Sequence, residues 1–216
     1  MSDTAVNDLT ATVTGDIDGD TRLLAAIAYG EGSTDDVETE IAGIAHAVVN
    51  RAKAWGNRTV SEVIRDDPNY SYATNGKSER FNLLKASSLD AINKSKGMRL
   101  AINAARQALA GQGDDPSNGA YWWDGIDLKD KKSVNPRIAY GFKYGDASHN
   151  IFGMPPILKP QVIYWQVRNK KTGQIENSKE RGRFDCIYVS KAAHGKTIFW
   201  RYNPDYVKAS GAKEYK

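Results

Sequence analysis

The sequence contains few of the residues on which several kinds of protein depend. Cysteine occurs once among 216 residues, as Cys186, which excludes an internal disulfide. We expect its thiol to be buried in a strand, because nothing in the sequence indicates the nearby base that a nucleophilic role requires. No apolar run reaches the length of a membrane-spanning helix, so we expect no membrane partner.

Histidine is also scarce, and no signal peptide is evident. His46, His149 and His194 lack metal-ligand spacing, so we expect structural or surface roles for them and no metal site. Residues 1–19 lack the basic and apolar regions of a secretory signal peptide. Export would therefore follow a non-Sec route, or the chain is part of a larger protein.

The composition suits one globular domain with a weakly basic character. Hydrophobic residues make up 40% of the chain, and the formal net charge is +4 with a pI near 9.0. Such a balance suits a polyanionic partner, although a solvated basic face is the simpler explanation. We expect no nucleic-acid partner, because the basic residues follow neither a helical face nor an RNA-binding aromatic pattern. Most of the excess comes from Arg168, Lys170, Lys171, Lys179, Arg181 and Arg183.

The apolar spacing predicts helices first and strands last. Residues 1–20 are rich in Thr, Asp and Gly and indicate a flexible arm or linker that ends in a helix cap at Asp20. Residues 21–216 are expected to form a single domain. Helices are predicted over residues 21–29, 36–55 and 88–110, and a capping box at Thr59 predicts a short one. Strands are predicted over 161–167, 183–189 and 197–202, so the fold class is α+β.

Glu31 is the strongest candidate for a catalytic residue. It lies between Gly30 and Gly32, four residues after Ile27 and seven after Leu24, so a continuing helix would place it on the apolar face. Burial raises a carboxyl pKa, as a general acid near neutral pH requires. The alternative is a solvated glutamate at a helix end.

Around Glu31 the sequence resembles the SleB-like cell-wall hydrolases, a family that includes enzymes degrading spore cortex. The family pattern is an apolar helix, Tyr, a small residue and Glu, followed by a helix ending in Asn-Arg. The order and spacing agree from about residue 21 to residue 202. The matching segments are LAAIAYGEG at 24–32, VVNR at 48–51, VI at 63–64, NYSY at 69–72, ALAG at 108–111, DP at 115–116, GAYW at 119–122 and the strand at 194–200.

The resemblance implies a lysozyme-like helical core followed by a small antiparallel β region. It further implies cleavage of the β-1,4 bond between N-acetylmuramic acid and N-acetylglucosamine in peptidoglycan, with Glu31 as the acid and no metal or organic cofactor. The sequence departs from the family in the charged stretch at 77–80, in a longer connection at 129–160, and in having Glu40 where the family usually has Gln.

Glu40 bears on the mechanism that the resemblance implies. A second carboxylate beside the cleft could activate water, which favours hydrolysis, the lysozyme reaction. With one acid alone, the 6-hydroxyl of the sugar attacks instead and yields the anhydro product of a lytic transglycosylase. We therefore expect Glu40→Gln to weaken hydrolysis or to shift the products. The alternative is a first-turn acid that stabilises the helix dipole.

Five residues are candidates for substrate binding, each with a structural alternative. Strand alternation places Trp122 and Trp123 on opposite faces, so at most one of them lies in the groove, and both could pack in the core. Asp124 could orient substrate or cap a turn. Ser71 and Tyr72 could form hydrogen bonds with N-acetyl groups. The five are Ser71, Tyr72, Tyr121, Trp122 and Asp124.

Other function classes are separable by experiment. A wall-binding module without activity would have aromatic platforms and no poised acid, and a zymogram would identify it. An amidase would use zinc or a Cys/His pair, and neither is visible. A substrate outside the cytoplasm and no signal peptide together suggest an antibacterial effector domain, with a cognate immunity protein as partner, or a phage-type lysin, acting in the periplasm or cell wall.

Overall fold

The computed structural model describes residues 8–70, 75–130 and 135–213, and within these ranges it contains eight α-helices and six β-strands. Six helices precede the first strand, so helix and sheet are largely segregated along the chain, which fits the α+β class. The helices are α1 (Gly19–Glu31), α2 (Glu38–Ala54), α3 (Val60–Asp66), α4 (Glu79–Ala86), α5 (Leu89–Lys94), α6 (Lys96–Ala110), α7 (Pro136–Tyr140) and α8 (Pro204–Ser210). The strands are β1 (Trp122–Asp124), β2 (Phe142–Lys143), β3 (Gln161–Arg168), β4 (Ile175–Phe184), β5 (Tyr188–His194) and β6 (Thr197–Tyr202).

Helices α1, α2 and α6 form the helical core. All residues of α1 from 24 to 29 are buried, and α2 is buried from Glu40 to Val49. Alanines dominate these stretches, so the helix axes approach closely while the larger aliphatic side chains fill the space between them. Each fully buried Leu or Ile contributes about 1.5–3 kcal/mol relative to an exposed position. The largest fully buried side chains of this core are Leu24, Ile27, Ile41, Ile44, Leu100 and Ile102.

The helix boundaries differ from the predicted ones in three places. The N-cap of α1 is Asp18 instead of Asp20, since the Asp18 carboxylate accepts from the Thr21 amide. The predicted helix over 88–110 is two helices, because the chain is extended at Ser95, which ends α5 and caps α6. Helix α4 was not predicted, because only two of its eight residues, Phe81 and Leu84, are buried.

Residues 8–18, the described part of the segment expected to be a flexible arm or linker, pack on α5 and α6. Val13 is buried, and its backbone exchanges two hydrogen bonds with the Asn93 side chain at 2.8 and 3.0 Å. Asn103 donates to the carbonyls of Leu9 and Ala11. Polar side chains of the helical region therefore satisfy a backbone that has no secondary structure of its own.

A four-stranded sheet lies against α2. Its order is β1-β6-β5-β2, with antiparallel pairs except for β2, which runs parallel to β5, so the expected antiparallel region is mixed. The predicted strand 183–189 spans the end of β4 and the start of β5. The Asn203 amide holds the corner between them by donating to the Asp185 carboxylate and the Cys186 carbonyl.

Two contacts fix the position of β1 beside the helical core. Gly43 lies so close to the buried Phe199 ring that a Cβ there would be 2.6 Å from the ring, which lets β6 approach α2. Residues Trp122, Trp123 and Asp124 pair with β6 in antiparallel register. The close approach of β6 therefore carries β1 to the C-terminal end of α1.

Strands β3 and β4 form a separate hairpin. In the described ranges they pair only with each other, and α8 packs against the base of the hairpin, where Gly182 lies against Ala209 and Phe184 meets Tyr206 edge-on. Arg181 stacks on Trp165. None of the helices in these ranges is long and apolar enough to cross a bilayer. The exposed apolar residues of the hairpin are Val162, Tyr164, Trp165, Val167 and Ile175.

Candidate active site

Glu31 is the last residue of α1, and its neighbours pack too tightly for any side chain larger than glycine. A Cβ at Gly30 would lie 2.9 Å from the Ser78 hydroxyl, and one at Gly32 would lie 2.9 Å from the Ala28 carbonyl. The helix thus continues through Gly30, where the sequence predicted a break. Both sides of the chain at Glu31 are pressed against neighbouring structure, which restricts where its side chain can point.

Arg80 holds the end of α1 in place. Its Nε donates to the Tyr29 carbonyl at 2.7 Å, its Nη2 donates to Asp36 at 2.7 Å, and its guanidinium lies 3.8 Å from the centre of the Tyr29 ring. The charged stretch at 77–80, which departs from the family pattern, therefore supplies a cap for a helix carbonyl that has no partner within the helix.

The carboxyl group of Glu31 is half-buried, and its pKa is raised. Burial is the main cause, and the negative charge of Asp127 adds to it, while a long hydrogen bond from the Trp123 indole at 3.4 Å opposes the shift. The C-terminal end of a helix disfavours a negative charge as well. The protonated form of Glu31 therefore persists to higher pH than that of an exposed glutamate.

Glu31 borders two cavities. One, of about 190 Å³, is bounded by residues of β1, α2 and α7, including Trp123, and by Tyr70 from the single turn Pro68–Tyr70 after α3. The other, of about 320 Å³, lies on the side of Glu40 and Asp127. Because Glu31 belongs to the walls of both, its carboxyl group stands between two spaces that open to solvent, as an acid acting on a bond between two bound units requires.

Trp123 is the tryptophan that faces Glu31, and Trp122 points the other way. The Trp123 ring is half-buried and lies 6.0 Å from the Tyr70 ring. Trp122 is only 9% exposed and contacts Tyr121 and Tyr188 edge-on. Strand alternation thus separates them as predicted, but the predicted substrate residues Tyr121 and Trp122 border the smaller cavity with rings that are mostly covered, as in the core-packing alternative.

Asp124 is engaged in an ion pair. Its carboxylate lies 2.9 Å from Nε of Arg137, both side chains are about 10% exposed or less, and Asn135 donates to its other oxygen at 2.8 Å. Asp124 therefore joins β1 to α7, which is closer to the structural alternative than to substrate orientation. Ser71 and Tyr72, the two remaining predicted substrate residues, lie outside the described residues.

Glu40 is fully buried and accepts three hydrogen bonds. One carboxylate oxygen accepts from the Lys196 amide at 3.0 Å and the Thr197 hydroxyl at 2.8 Å, and the other accepts from the Ser33 hydroxyl. Gly195 has a positive φ of 56°, and a Cβ there would meet the same carboxylate at 2.5 Å. Glu40 therefore ties the β5–β6 turn to the loop after Glu31 and has no oxygen free to activate water.

The Asn50-Arg51 signature braces the far side of the site. Asn50 donates to Asp115, Ser117 and the Ala120 carbonyl, which fixes the loop before β1. Arg51 forms a buried ion pair with Asp67 at 2.6 Å and contacts Trp122 and the smaller cavity. This motif holds the strand that carries Trp123 instead of presenting a reactive group.

The remaining reactive side chains are occupied elsewhere. Burial raises the pKa of Cys186 to about 12, so its thiol is not a nucleophile at neutral pH. His46 faces Asp115, while His149 contacts Ser190 and His194 contacts the Pro116 carbonyl. No group of three or more His, Cys, Asp and Glu in the described ranges is arranged to hold a metal ion.

Sequence reasoning missed Asp127 and underestimated Trp123. Asp127 lies in the single turn at Ile126–Lys129 that follows β1, is exposed, and borders the larger cavity with Glu31. The WWDGID segment carried a signal, because residues just past a strand end gather at one edge of a sheet. The sequence alone did not show that this edge meets the end of α1.

Comparison with protein-family models, curated proteins and solved structures yields no match to this chain. The fold and the site together define a mixed helix and sheet protein with a half-buried acid in a groove.

Proposed function

We propose that this protein is a glycosidase that cuts the glycan strands of peptidoglycan at the β-1,4 bond between N-acetylmuramic acid and N-acetylglucosamine. The observation that carries the proposal is the position of Glu31, whose half-buried carboxyl group has a raised pKa and stands between two cavities. A general acid in glycoside cleavage needs this combination, since it must be protonated at working pH and must reach the bridging oxygen.

The proposed chemistry begins with proton transfer from Glu31. The carboxyl group gives its proton to the glycosidic oxygen as the bond from that oxygen to the anomeric carbon breaks, and positive charge develops on the sugar ring. The Trp123 indole N–H, which contacts the Glu31 carboxyl group, holds it in orientation and stabilises the carboxylate that remains. The half-buried Trp123 offers aromatic surface for a sugar ring on the same side, and the buried Tyr70 ring packs 6.0 Å from it.

The SleB-like resemblance supports the same proposal. Three of the segments that match the family lie together, since α1 carries Glu31, and Asn50 near the end of α2 donates to the Ala120 carbonyl in the matching loop before β1. A lysozyme-like fold is part of the proposal. Action in the periplasm or cell wall, as an effector domain or lysin, remains the proposed setting. Toxicity limited to periplasm-directed expression would support it, and harmlessness there would count against it.

Glu31→Gln tests the proposal directly. Purified peptidoglycan is digested with each protein, and soluble muropeptides are measured by mass spectrometry. We expect the variant to release at least about 100-fold less material, because general acid catalysis contributes that much or more. Glu38→Gln is the matched control, since Glu38 is exposed in the first turn of α2. Retention of most activity by a folded Glu31→Gln protein would refute the assignment.

Lytic transglycosylation is the second candidate, and one observation favours it. Glu40, which the sequence offered as the second carboxylate, has both oxygens occupied by hydrogen bonds. In an enzyme with Glu31 alone, the Glu31 carboxylate that has given up its proton would then act as the base that removes the proton of the sugar's 6-hydroxyl. Anhydro ends on the products would identify this reaction, and reducing ends would identify hydrolysis.

A further inference from the structure

Hydrolysis requires a group that activates water, and three carboxylates other than Glu31 lie near the groove. Glu40 accepts three hydrogen bonds and is fully buried. Asp124 is paired with Arg137 and receives the Asn135 amide. In the described part of the chain, Asp127 alone of the three has no side-chain hydrogen bond or ion pair. Its carboxylate is therefore the one that a water molecule can approach.

The position of Asp127 suits such a role. It lies in the turn after β1, four residues from Trp123, and borders the same cavity as Glu31. Its Oδ1 folds back over Gly125, where a Cβ would be 3.3 Å away, so the carboxylate lies against a residue that borders the cavity too. The absence of a side chain at Gly125 leaves this side of the cavity open.

An electrostatic coupling indicates that the two acids share one environment. The charge of Asp127 raises the pKa of Glu31, in addition to the main effect of burial. Burial raises the pKa of Asp124 as well, and the same charge adds to it, so Asp127 lies close enough to both carboxyl groups to act on them. A carboxylate beside an acid with a raised pKa is the arrangement that divides base and acid between two carboxyl groups.

We propose that Asp127 is the catalytic base that activates the attacking water, which makes the reaction a hydrolysis. This inference rests on the proposed function. The Asp127 carboxylate takes a proton from water as the water oxygen bonds to the anomeric carbon. The bond from that carbon to the glycosidic oxygen breaks, and the oxygen receives the proton of Glu31. Solvent then returns a proton to Glu31 and removes one from Asp127, so both groups regain their starting states.

Asp127→Asn tests the inference, with Asp114→Asn as the control. Asp114 is exposed and borders a different cavity. On purified peptidoglycan we expect the wild-type protein and Asp114→Asn to give reducing ends. We expect Asp127→Asn to lower kcat about 100-fold or more, with a smaller change in KM, or to shift the products to anhydro ends. Asp127→Glu, which keeps a carboxylate, should recover part of the hydrolysis.

The pH profile provides a readout that a structural role would not move. Removing the charge of Asp127 should lower the pKa of Glu31, so the alkaline limb of the residual activity should move to lower pH. Wild-type rate and products in Asp127→Asn would overturn the inference while leaving the glycosidase intact, and so would a wild-type protein that makes only anhydro ends. Absence of any glycan cleavage by the wild-type protein would instead overturn the proposed function.

Discussion

The stability of the fold and the proposed activity place opposite demands on the carboxyl group of Glu31. Burial at the C-terminal end of α1 raises the pKa of the group, which favours the protonated form that a general acid needs. The same burial penalises the ionised form, and ionisation becomes favourable for the unfolded chain as the pH rises. The residue proposed as the acid therefore weakens the fold as the pH rises above the ordinary carboxyl pKa.

This opposition predicts the pH dependence of stability. The pKa of Glu31 is raised in the folded protein. The contribution of its side chain to the free energy of unfolding is therefore fully present below the ordinary carboxyl pKa, and it is lost as the pH rises through the raised value. We expect Glu31→Gln, which cannot ionise, to gain thermal stability relative to the wild type across that window. Melting temperatures of both proteins over a pH series measure it. Two curves that stay parallel would contradict the prediction.

Glu40 shows how one hydrogen-bond pattern can accept two residue types. Its first oxygen accepts from the Lys196 amide and the Thr197 hydroxyl, while its second faces the Ser33 hydroxyl, which can donate or accept. A glutamine could keep the first oxygen in place and donate from its amide nitrogen to Ser33. A glutamine could therefore fill the same place, and this revises the effect expected from the sequence.

We therefore expect Glu40→Gln to retain the fold and the product pattern. Its free energy of unfolding should stay within about 1 kcal/mol of the wild type, whereas Glu40→Ala should lose about 1–3 kcal/mol because the buried Thr197 hydroxyl loses its acceptor. Urea unfolding and product analysis measure both variants. A change from reducing to anhydro ends in a stable Glu40→Gln protein would return Glu40 to the chemistry.

At the scale of elements, the strongly periodic segments were predictable and the weakly buried ones were not. Helix α2 spans Glu38–Ala54 against a prediction of 36–55, because its apolar stripe is long and is buried as the spacing implies. Helix α4 and the first part of β4 were not predicted, because they bury too few side chains to produce a periodic spacing of apolar residues in the sequence. Their stability comes from neighbours that the local sequence does not reveal.

The same distinction applies to the site. Glu31 could be found from its glycine neighbours and its place after an apolar helix, which are local features. Trp123 and Asp127 reach the groove only because β1 pairs with β6 and because Gly43 admits the Phe199 ring. A contact between residues far apart in the chain decides their roles, and no spacing rule within one segment expresses it.

The hairpin of β3 and β4 should be the least stable element of the described chain. It packs on α8 at its base only, and most of its residues are exposed. Local opening costs less free energy where few apolar contacts are lost. We expect its amides to exchange with deuterium at least about tenfold faster than those of α1 and α2, as measured by mass spectrometry of peptides. Equal protection in all three would contradict this.

At the scale of the whole molecule, two cores meet at the groove. One is the helical core, and the other is an aromatic cluster beneath the sheet. Glu31 comes from the first, against which Trp123 also packs, while Asp127 lies in the turn beside Leu128 of the second. The proposed acid and base thus belong to different packing units, so their separation depends on how the sheet is seated on α2. The aromatic cluster consists of Tyr121, Trp122, Leu128, Phe142, Phe152, Tyr188, Ile198 and Trp200.

Charge is distributed as unevenly as the packing. Residues 161–184 contain six Lys and Arg and two Glu, so the +4 of this segment equals the formal net charge of the entire chain, and the remainder is neutral. In the field of an anionic polymer, a neutral body with one positive arm experiences a torque as well as an attraction. The molecule would approach such a surface with its hairpin foremost. Its rate of encounter would fall with added salt, while the rate of the proposed proton transfer at Glu31 would not.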